Sequence, residues 1–341
     1  MSRGSGPILW ALLGSLLVGA WGLRWDIQWH ERIGRDSFWI APHLMTYAGV
    51  TLLVLLSFGV LLHGTLRYRA APVRPPMVRL LGLVGTPGFH LAAWGIALTV
   101  LAAPIDDLWH RLFGLDVTLW SPPHLLGLAG AAVNTLACLM IAREVYPAGG
   151  AKRLAATLFA TAMFYGNLRT VASPAFDLAH HHGGVAYHSY AILGGLLFPL
   201  ALIVAACLTG LRAGPLLMAI VSLLIRASSD LISTVGFAVI QPVSIIQGDP
   251  RAIADSRVLM LASFVPVLVL VGIDARRHPL AGSLGYAVTL FAVFGWIQAA
   301  SPALGRMAPG AETTLVALAL TVVATFAGAA VGRRLARALQ G

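Results

Sequence analysis

The stretch WDIQWHERIGRDSFWIAPHLMTYAG, residues 25–49, returns as DDLWHRLFGLDVTLWSPPHLLGLAG, residues 106–130. With one residue inserted before the second tryptophan of the later copy, eleven positions coincide: Asp26/Asp106, Trp29/Trp109, His30/His110, Gly34/Gly114, Asp36/Asp116, Trp39/Trp120, Pro42/Pro123, His43/His124, Leu44/Leu125, Ala48/Ala129 and Gly49/Gly130. Each copy reads D-x-x-W-H-x3-G-x-D, followed by W-x-x-P-H-L. Aligned hydrophobic residues would show only that both stretches belong to membrane segments. Asp, His, Trp and Pro are not needed to build a span, and ionisable groups are uncommon at membrane depth. Their alignment therefore marks a duplicated device.

The surrounding composition sets the class. Of 341 residues, 58% are hydrophobic and 11% charged, with a mean hydropathy of +0.83. Soluble domains carry about 25% charged residues, and a soluble core could not hide this much apolar surface. Long apolar runs, rather than alternating ten-residue segments, exclude an outer-membrane barrel. The expected fold is all-α: a polytopic transmembrane helical bundle of about ten spans with tandem repeated hairpins. The net charge of +10 does not indicate nucleic acid, because the arginines are scattered through short connections, where they set membrane orientation. The lipid bilayer is the expected partner. Cys138 and Cys207 both lie inside apolar runs, so neither a disulfide framework nor a thiolate metal site is expected.

Apolar runs fall at residues 7–24, 43–63, 80–104, 124–142, 153–172, 187–210, 214–240, 257–274, 280–300 and 313–332. The N-terminal run leads directly into the first motif and reads as a retained span. The chain reads as a single integral membrane domain over 1–341. Its repeat hairpins are 7–63 and 80–142, a degenerate third hairpin is 153–210, and further membrane helices occupy 211–341. The 64–79 connection holds Arg67, Arg69, Arg74 and Arg79 without an acid, and Arg212, Arg276, Arg277, Arg333, Arg334 and Arg337 follow in later connections of the same side. The positive-inside rule makes that side cytoplasmic. Both termini are then cytoplasmic, and the motif loops face the periplasm of a bacterial inner membrane.

Asp26 and His30 are four residues apart, as are Asp106 and His110. If each preceding span continues as helix, each pair occupies one face, one turn apart. His43 and His124 follow proline, a residue suited to the first turn of a helix. Each hairpin thus brings one carboxylate and two imidazoles together from adjacent helix ends, a plausible shell for copper(II), zinc or iron(II). Asp36 and Asp116 can orient a ligand histidine through its second ring nitrogen. Trp29, Trp39, Trp109 and Trp120 either wall the site or anchor at the headgroups, the latter being the commoner role. A structural Asp–His hydrogen bond closing each hairpin is the competing reading. Asp177, His181 and His188 form a possible third set, for which an exposed loop is the stronger reading. Isolated His63, His90 and His278 read as hydrogen-bonded surface residues. Arg226 and Asp230, four apart within one span, share a helix face and can pair inside the bundle.

The spacing resembles the C subunit of the copper membrane monooxygenases, the particulate methane and ammonia monooxygenases. That family has membrane-embedded copper ligands in the patterns Asp-x3-His-x12-His and Asn-x3-His-x13-His. Asp26, His30 and His43 have the first spacing. Asp106, His110 and His124 have the second, with Asp where the family has Asn. The match covers about 50 residues of the chain. It implies copper at both sets, chemistry with dioxygen and a small apolar substrate, and partner membrane subunits on separate chains. The residues by themselves leave three other functions open. One is a metal-ion or proton-coupled transporter, since repeats and intramembrane ionisable groups suit transporters. Another is a b-type cytochrome with His43 and His124 as axial ligands of haem b. The third is a structural protein of an assembly, including a homo-oligomer.

Overall fold

The computed structural model describes residues 5–34, 37–114, 119–245, 258, 261–301 and 304–340, apart from the side chains of Asp177 and His180. The described residues are helical except for turns, connections and one small β-hairpin. The helices are α1 (Ser5–Arg32), α2 (Ala41–Arg67), α3 (Pro87–Phe113), α4 (Pro122–Val145), α5 (Ala151–Ala172), α6 (Ala175–His181), α7 (Ser189–Thr209, preceded by a 3₁₀ turn at Gly184–His188), α8 (Gly214–Ile240), α9 (Phe264–Gly272), α10 (Pro279–Ala300) and α11 (Ala311–Gln340). Among the described residues, eight are long and apolar enough to cross a membrane: α1, α2, α3, α4, α7 with its 3₁₀ turn, α8, α10 and α11. Helices suit that setting because each satisfies its own backbone hydrogen bonds, and the chain is an integral membrane protein by this measure.

The two other expected spans stand differently. Residues 153–172 do form a helix, α5, but a less apolar one. The run at 257–274 is described mainly over the short α9.

The third expected span begins at 80, whereas α3 begins at Pro87. The intervening residues form β1 (Val78–Leu80) and β2 (Leu83–Gly85), paired antiparallel with Leu80 opposite Leu83. The two-residue turn Leu81–Gly82 has positive φ at both positions, the geometry that matches strand twist in tight hairpins. Val84 N–H donates to Thr65 Oγ1 of α2 at 2.8 Å. His90, expected at the surface, is 4% exposed; its Nε2 lies 3.3 Å from the Val78 carbonyl, so the hairpin shields it. His63 and His278 are exposed.

At the start of α3, Thr86 does not cap with its own side chain. Its hydroxyl donates to Glu144 of α4, and Gly88 N–H donates to Glu144 Oε1 at 2.7 Å. A carboxylate thus sits at a helix N-terminus, where free N–H groups and the helix dipole favour it. Glu144→Ala is expected to lower stability by about 1–3 kcal/mol, the cost of orphaned donors. Thermal denaturation in detergent checks this, and an unchanged midpoint would refute it.

The chain divides into two units. The first comprises Met1–Val117, Ser121–Met163 and Leu224–Arg251; the second comprises Thr118–Trp120, Phe164–Leu223 and Ala252–Gly341. Helices α5 and α8 contribute residues to both. In the first unit, α1 packs on α2, α3 on α4, α2 on α3 and α1 on α4. These antiparallel hairpins place the C-terminal ends of α1 and α3 and the N-terminal ends of α2 and α4 at one end of the unit, opposite the β-hairpin.

Two repeated glycines are the points of closest approach. A methyl group at Gly49 would lie 2.7 Å from Gly19 N and 2.8 Å from the Ser15 carbonyl. At Gly130 it would lie 2.7 Å from the Gly95 carbonyl and 2.8 Å from Thr99 N. Backbone meets backbone at both crossings, as small residues permit in membrane helices. Gly130→Ala is expected to force α3 and α4 apart at a cost of about 1–3 kcal/mol, the usual range for overpacking. A normal melting midpoint in Gly130→Ala would show that the crossing tolerates a side chain.

In the second unit α7 packs along α11. A methyl group at Gly328 would meet the Leu196 and Gly195 backbone, 2.9 Å from Leu196 C and 3.1 Å from Gly195 O. Phe176 stacks on Tyr190 at 3.9 Å, and Phe294 lies 4.8 Å from Tyr190. Arg169, in the last turn of α5, donates to Ser263 Oγ at 3.0 Å and lies among Tyr165, Tyr190 and Tyr286.

Candidate metal centres

Helices α1 and α3 continue unbroken through their motifs, so each D-x3-H pair does lie on one helix face, in the last turns. The repeated glycines end both helices. Gly34 and Gly114 have φ of 75° and 84°, in the left-handed region that a residue without Cβ enters without strain. The next helices start at the repeated prolines. His43 and His124 each occupy the third position of the new helix, after Ala41–Pro42 and Pro122–Pro123. Local chemistry thus fixes where each hairpin turns and what faces its mouth.

In the first hairpin Asp26 Oδ1 lies 3.0 Å from His43 Nε2 and 3.6 Å from His30 Nε2. In the second, Asp106 Oδ1 lies 3.4 Å from His124 Nε2, and Asp106 Oδ2 lies 3.3 Å from His110 Nε2. The two imidazoles are 6.5 Å apart between ring centres in the first set and 6.4 Å in the second. In each set one ligand atom per residue lies within 4.8 Å of the others; these are the two such groups among the described residues.

The carboxylates bear on the choice between a coordination site and a hydrogen bond. Asp26 Oδ1 and Asp106 Oδ1 are both sealed from solvent, and among the described residues neither accepts a hydrogen bond. Each has an imidazole nitrogen within 3.4 Å. A buried carboxylate oxygen without a donor is costly. Oxygen and nitrogen atoms at this separation can share a third atom. Zinc, copper or iron at about 2.0–2.2 Å from each would supply it, and the donor set fits such an ion.

The two centres have different surroundings. Tyr47 lies 5.9 Å from the His43 ring, and Phe38 lies 5.1 Å from Tyr47; the residue aligned with Tyr47 is Leu128. The end of α1 is also held from the segment after α8: Ser244 Oγ donates to the Arg32 carbonyl at 2.7 Å, and Ile245 N–H donates to the Ile33 carbonyl at 3.0 Å. These satisfy carbonyls that a helix end leaves open. Below the ligands, Asp230 of α8 accepts from Arg24 Nε at 3.0 Å, Gln28 Nε2 at 3.1 Å and Arg226 Nε at 3.1 Å. The sequence indicates the Arg226–Asp230 pair and misses Arg24 and Gln28. An arginine two residues before the motif, inside an apolar run, was the available signal. In the second copy the aligned positions are Pro104 and Leu108.

The remaining expected site residues are distributed as follows. Trp29 is buried with Trp25, stacked on Phe237 of α8 at 5.8 Å. Trp109 packs on Phe113 at 4.4 Å. Trp39 is exposed. In the second unit, Trp120 Nε1 donates to the Val171 carbonyl at 2.7 Å. Asp36 and Asp116 lie outside the described residues, as does the side chain of Asp177. His181 is exposed at the end of α6. Helix α5 ends at Ala172 and α6 is a separate short helix, so this D-x3-H pair does not sit on a continued span as the others do. His188 is buried against Phe291 at 4.5 Å, with neither ring nitrogen hydrogen-bonded. Comparison of the chain with protein-family models, with curated proteins and with solved structures finds no match.

Proposed function

We propose that this protein is a membrane metalloprotein with two Asp–His–His centres, Asp26/His30/His43 and Asp106/His110/His124, near the external face of a bacterial inner membrane. Copper is the metal favoured by the resemblance to the copper membrane monooxygenases, and oxidation of a small apolar substrate is the reaction class. The observation that carries the reading is the sealed Oδ1 in each hairpin, close to an imidazole nitrogen but without a hydrogen bond among the described residues.

In this reading His30 and His43, and likewise His110 and His124, supply nitrogen ligands through Nε2. Asp26 and Asp106 supply oxygen and offset part of the ion's charge. A bound copper ion, held by these three residues, would supply one-electron redox chemistry. Helix stop and helix start hold the ligand atoms in place, so that binding needs little reorganisation. The carboxylate 3.0 Å from His43 Nε2 favours a small ion over haem b, whose porphyrin plane would need that space. Transport by the same residues finds no comparable support, because both ligand sets sit at one end of the first unit. The arginine-rich connections support the cytoplasmic placement of the opposite end.

The test is metal content by mass spectrometry on purified protein after loading with copper, zinc or iron, for wild type, His30→Ala and His124→Ala. Two copper ions per chain, with one lost in each variant, is the expected result. Absence of stoichiometric metal from every preparation would overturn the proposal in favour of structural Asp–His contacts.

A further inference from the structure

A cavity lies in the second unit, on helices other than those that carry the motif copies. The C-terminal end of α7, the connection between α9 and α10, and the C-terminal turns of α11 enclose a cavity of about 360 Å³. Its lining is of two kinds. Ile203 and Ala206 of α7 and Pro279 of α10 form an apolar wall, and Arg276, Arg333 and Gln340 form a polar rim.

The arginines differ in what they already bind. Arg276 donates to the Gly210 carbonyl at the end of α7 and, through Nε at 3.1 Å, to Asp274. That hydrogen bond, with the charges of Arg276 and Arg277, holds the Asp274 carboxyl below its ordinary range. Asp274 is also shared with Arg277, whose Nε is 3.6 Å from Oδ2. Arg333 has no such acid among the described residues. Its Nη1 is buried and has no hydrogen-bond partner among the described residues. Gln340 reaches back to the Cys207 carbonyl at 3.2 Å, and Arg212 holds the α9 end through the Val271 carbonyl at 2.9 Å. The pocket is therefore braced on several sides, yet keeps an excess of positive charge and an unused donor. A sealed donor without a partner is costly, and guanidinium forks match phosphate oxygens in pairs.

We propose that this cavity binds an anionic phospholipid, with the headgroup phosphate on Arg333 and Arg276 and the start of an acyl chain along Ile203, Ala206 and Pro279. The apolar wall decides between sources of phosphate, since a free phosphate ion has nothing to place against it. Basic pockets between membrane helices take lipid headgroups by this chemistry. The cavity volume suits one headgroup with the adjoining part of one chain.

The experiment is native mass spectrometry of the full-length protein released from detergent, with phosphatidylglycerol or phosphatidylcholine added in equal amounts. Wild type is expected to retain phosphatidylglycerol about tenfold better than phosphatidylcholine, and Arg333→Gln to lose that preference; tenfold corresponds to one good charge-assisted contact. Arg334→Gln, at the exposed neighbouring position, is expected to keep it. Equal retention of both lipids by wild type would overturn the proposal, as would full preference in Arg333→Gln or its equal loss in Arg334→Gln. Complete displacement of the lipid by millimolar inorganic phosphate would show a free-anion site and overturn the lipid assignment. If Arg333→Gln does not fold, Arg333→Lys serves instead. It keeps the charge but not the planar fork, and is expected to lose retention by about threefold; undiminished retention would overturn the proposal.

Discussion

Asp26→Ala is expected to weaken metal binding at the first centre by about a hundredfold and to leave the second centre unchanged. A closed four-ligand zinc site provides about 10–16 kcal/mol of apparent binding free energy, or roughly 3 kcal/mol per ligand, and each 1.4 kcal/mol is tenfold in affinity. Titration of metal-free protein with copper or zinc, followed calorimetrically, measures this for each centre. The second centre allows a sharper comparison. Asp106 stands where the resembling family has Asn, so Asp106→Asn, which retains an oxygen ligand, is expected to bind metal far better than Asp106→Ala. Metal at about 100 times its dissociation constant stabilises the folded state by about 2.7 kcal/mol per site. Saturating metal is thus expected to raise the wild-type melting temperature more than that of Asp26→Ala. If Asp26 only closed its hairpin by hydrogen bonding, Asp26→Ala would lower the melting temperature equally with and without metal. Equal metal responses of wild type and variant would decide for that structural role.

Asp230→Ala is expected to be the most destabilising single change in the first unit. It removes a carboxylate that accepts from Arg24, Gln28 and Arg226. Two guanidinium groups would then face each other in a partly buried site. Breaking a buried pair from one side costs about 3–5 kcal/mol. The side chains here are 19–30% exposed, which places the expectation near the lower end. The effect should reach the first metal centre, because Arg24 and Gln28 flank Asp26 on the same helix. Metal affinity at Asp26/His30/His43 is expected to fall while that at Asp106/His110/His124 holds. Asp230→Asn, which keeps an acceptor, should lose less. A melting midpoint within one degree of wild type in Asp230→Ala would show that the arginines find other partners.

Much of the candidate site was legible before the fold was known, and the residues show why. Four-residue spacing sets two side chains on one helical face, Pro42 and Pro123 start helices, and a glycine stop is local backbone chemistry. Each of these acts within a few residues, so repetition of the motif carried all of them at once. The β-hairpin at 78–85 was not visible, because it is short and merges with the apolar run of α3. The burial of His90 beneath it was hidden for the same reason. Trp29 was ambiguous in sequence; its stacking on Phe237 depends on which helix lies opposite.

The repeated sequence by itself determined the all-helical class, the candidate ligand sets and the ends of the helices that present them. Tertiary structure alone decided that Arg24 meets Asp230 across 206 residues and that Gly49 and Gly130 are backbone crossings. It also decided that Asp26 and Asp106 hold a sealed oxygen near an imidazole without bonding to it. Periodicity states which face of a helix is apolar, but not which partner that face meets; that choice depends on side-chain shapes packed against one another over the whole first unit.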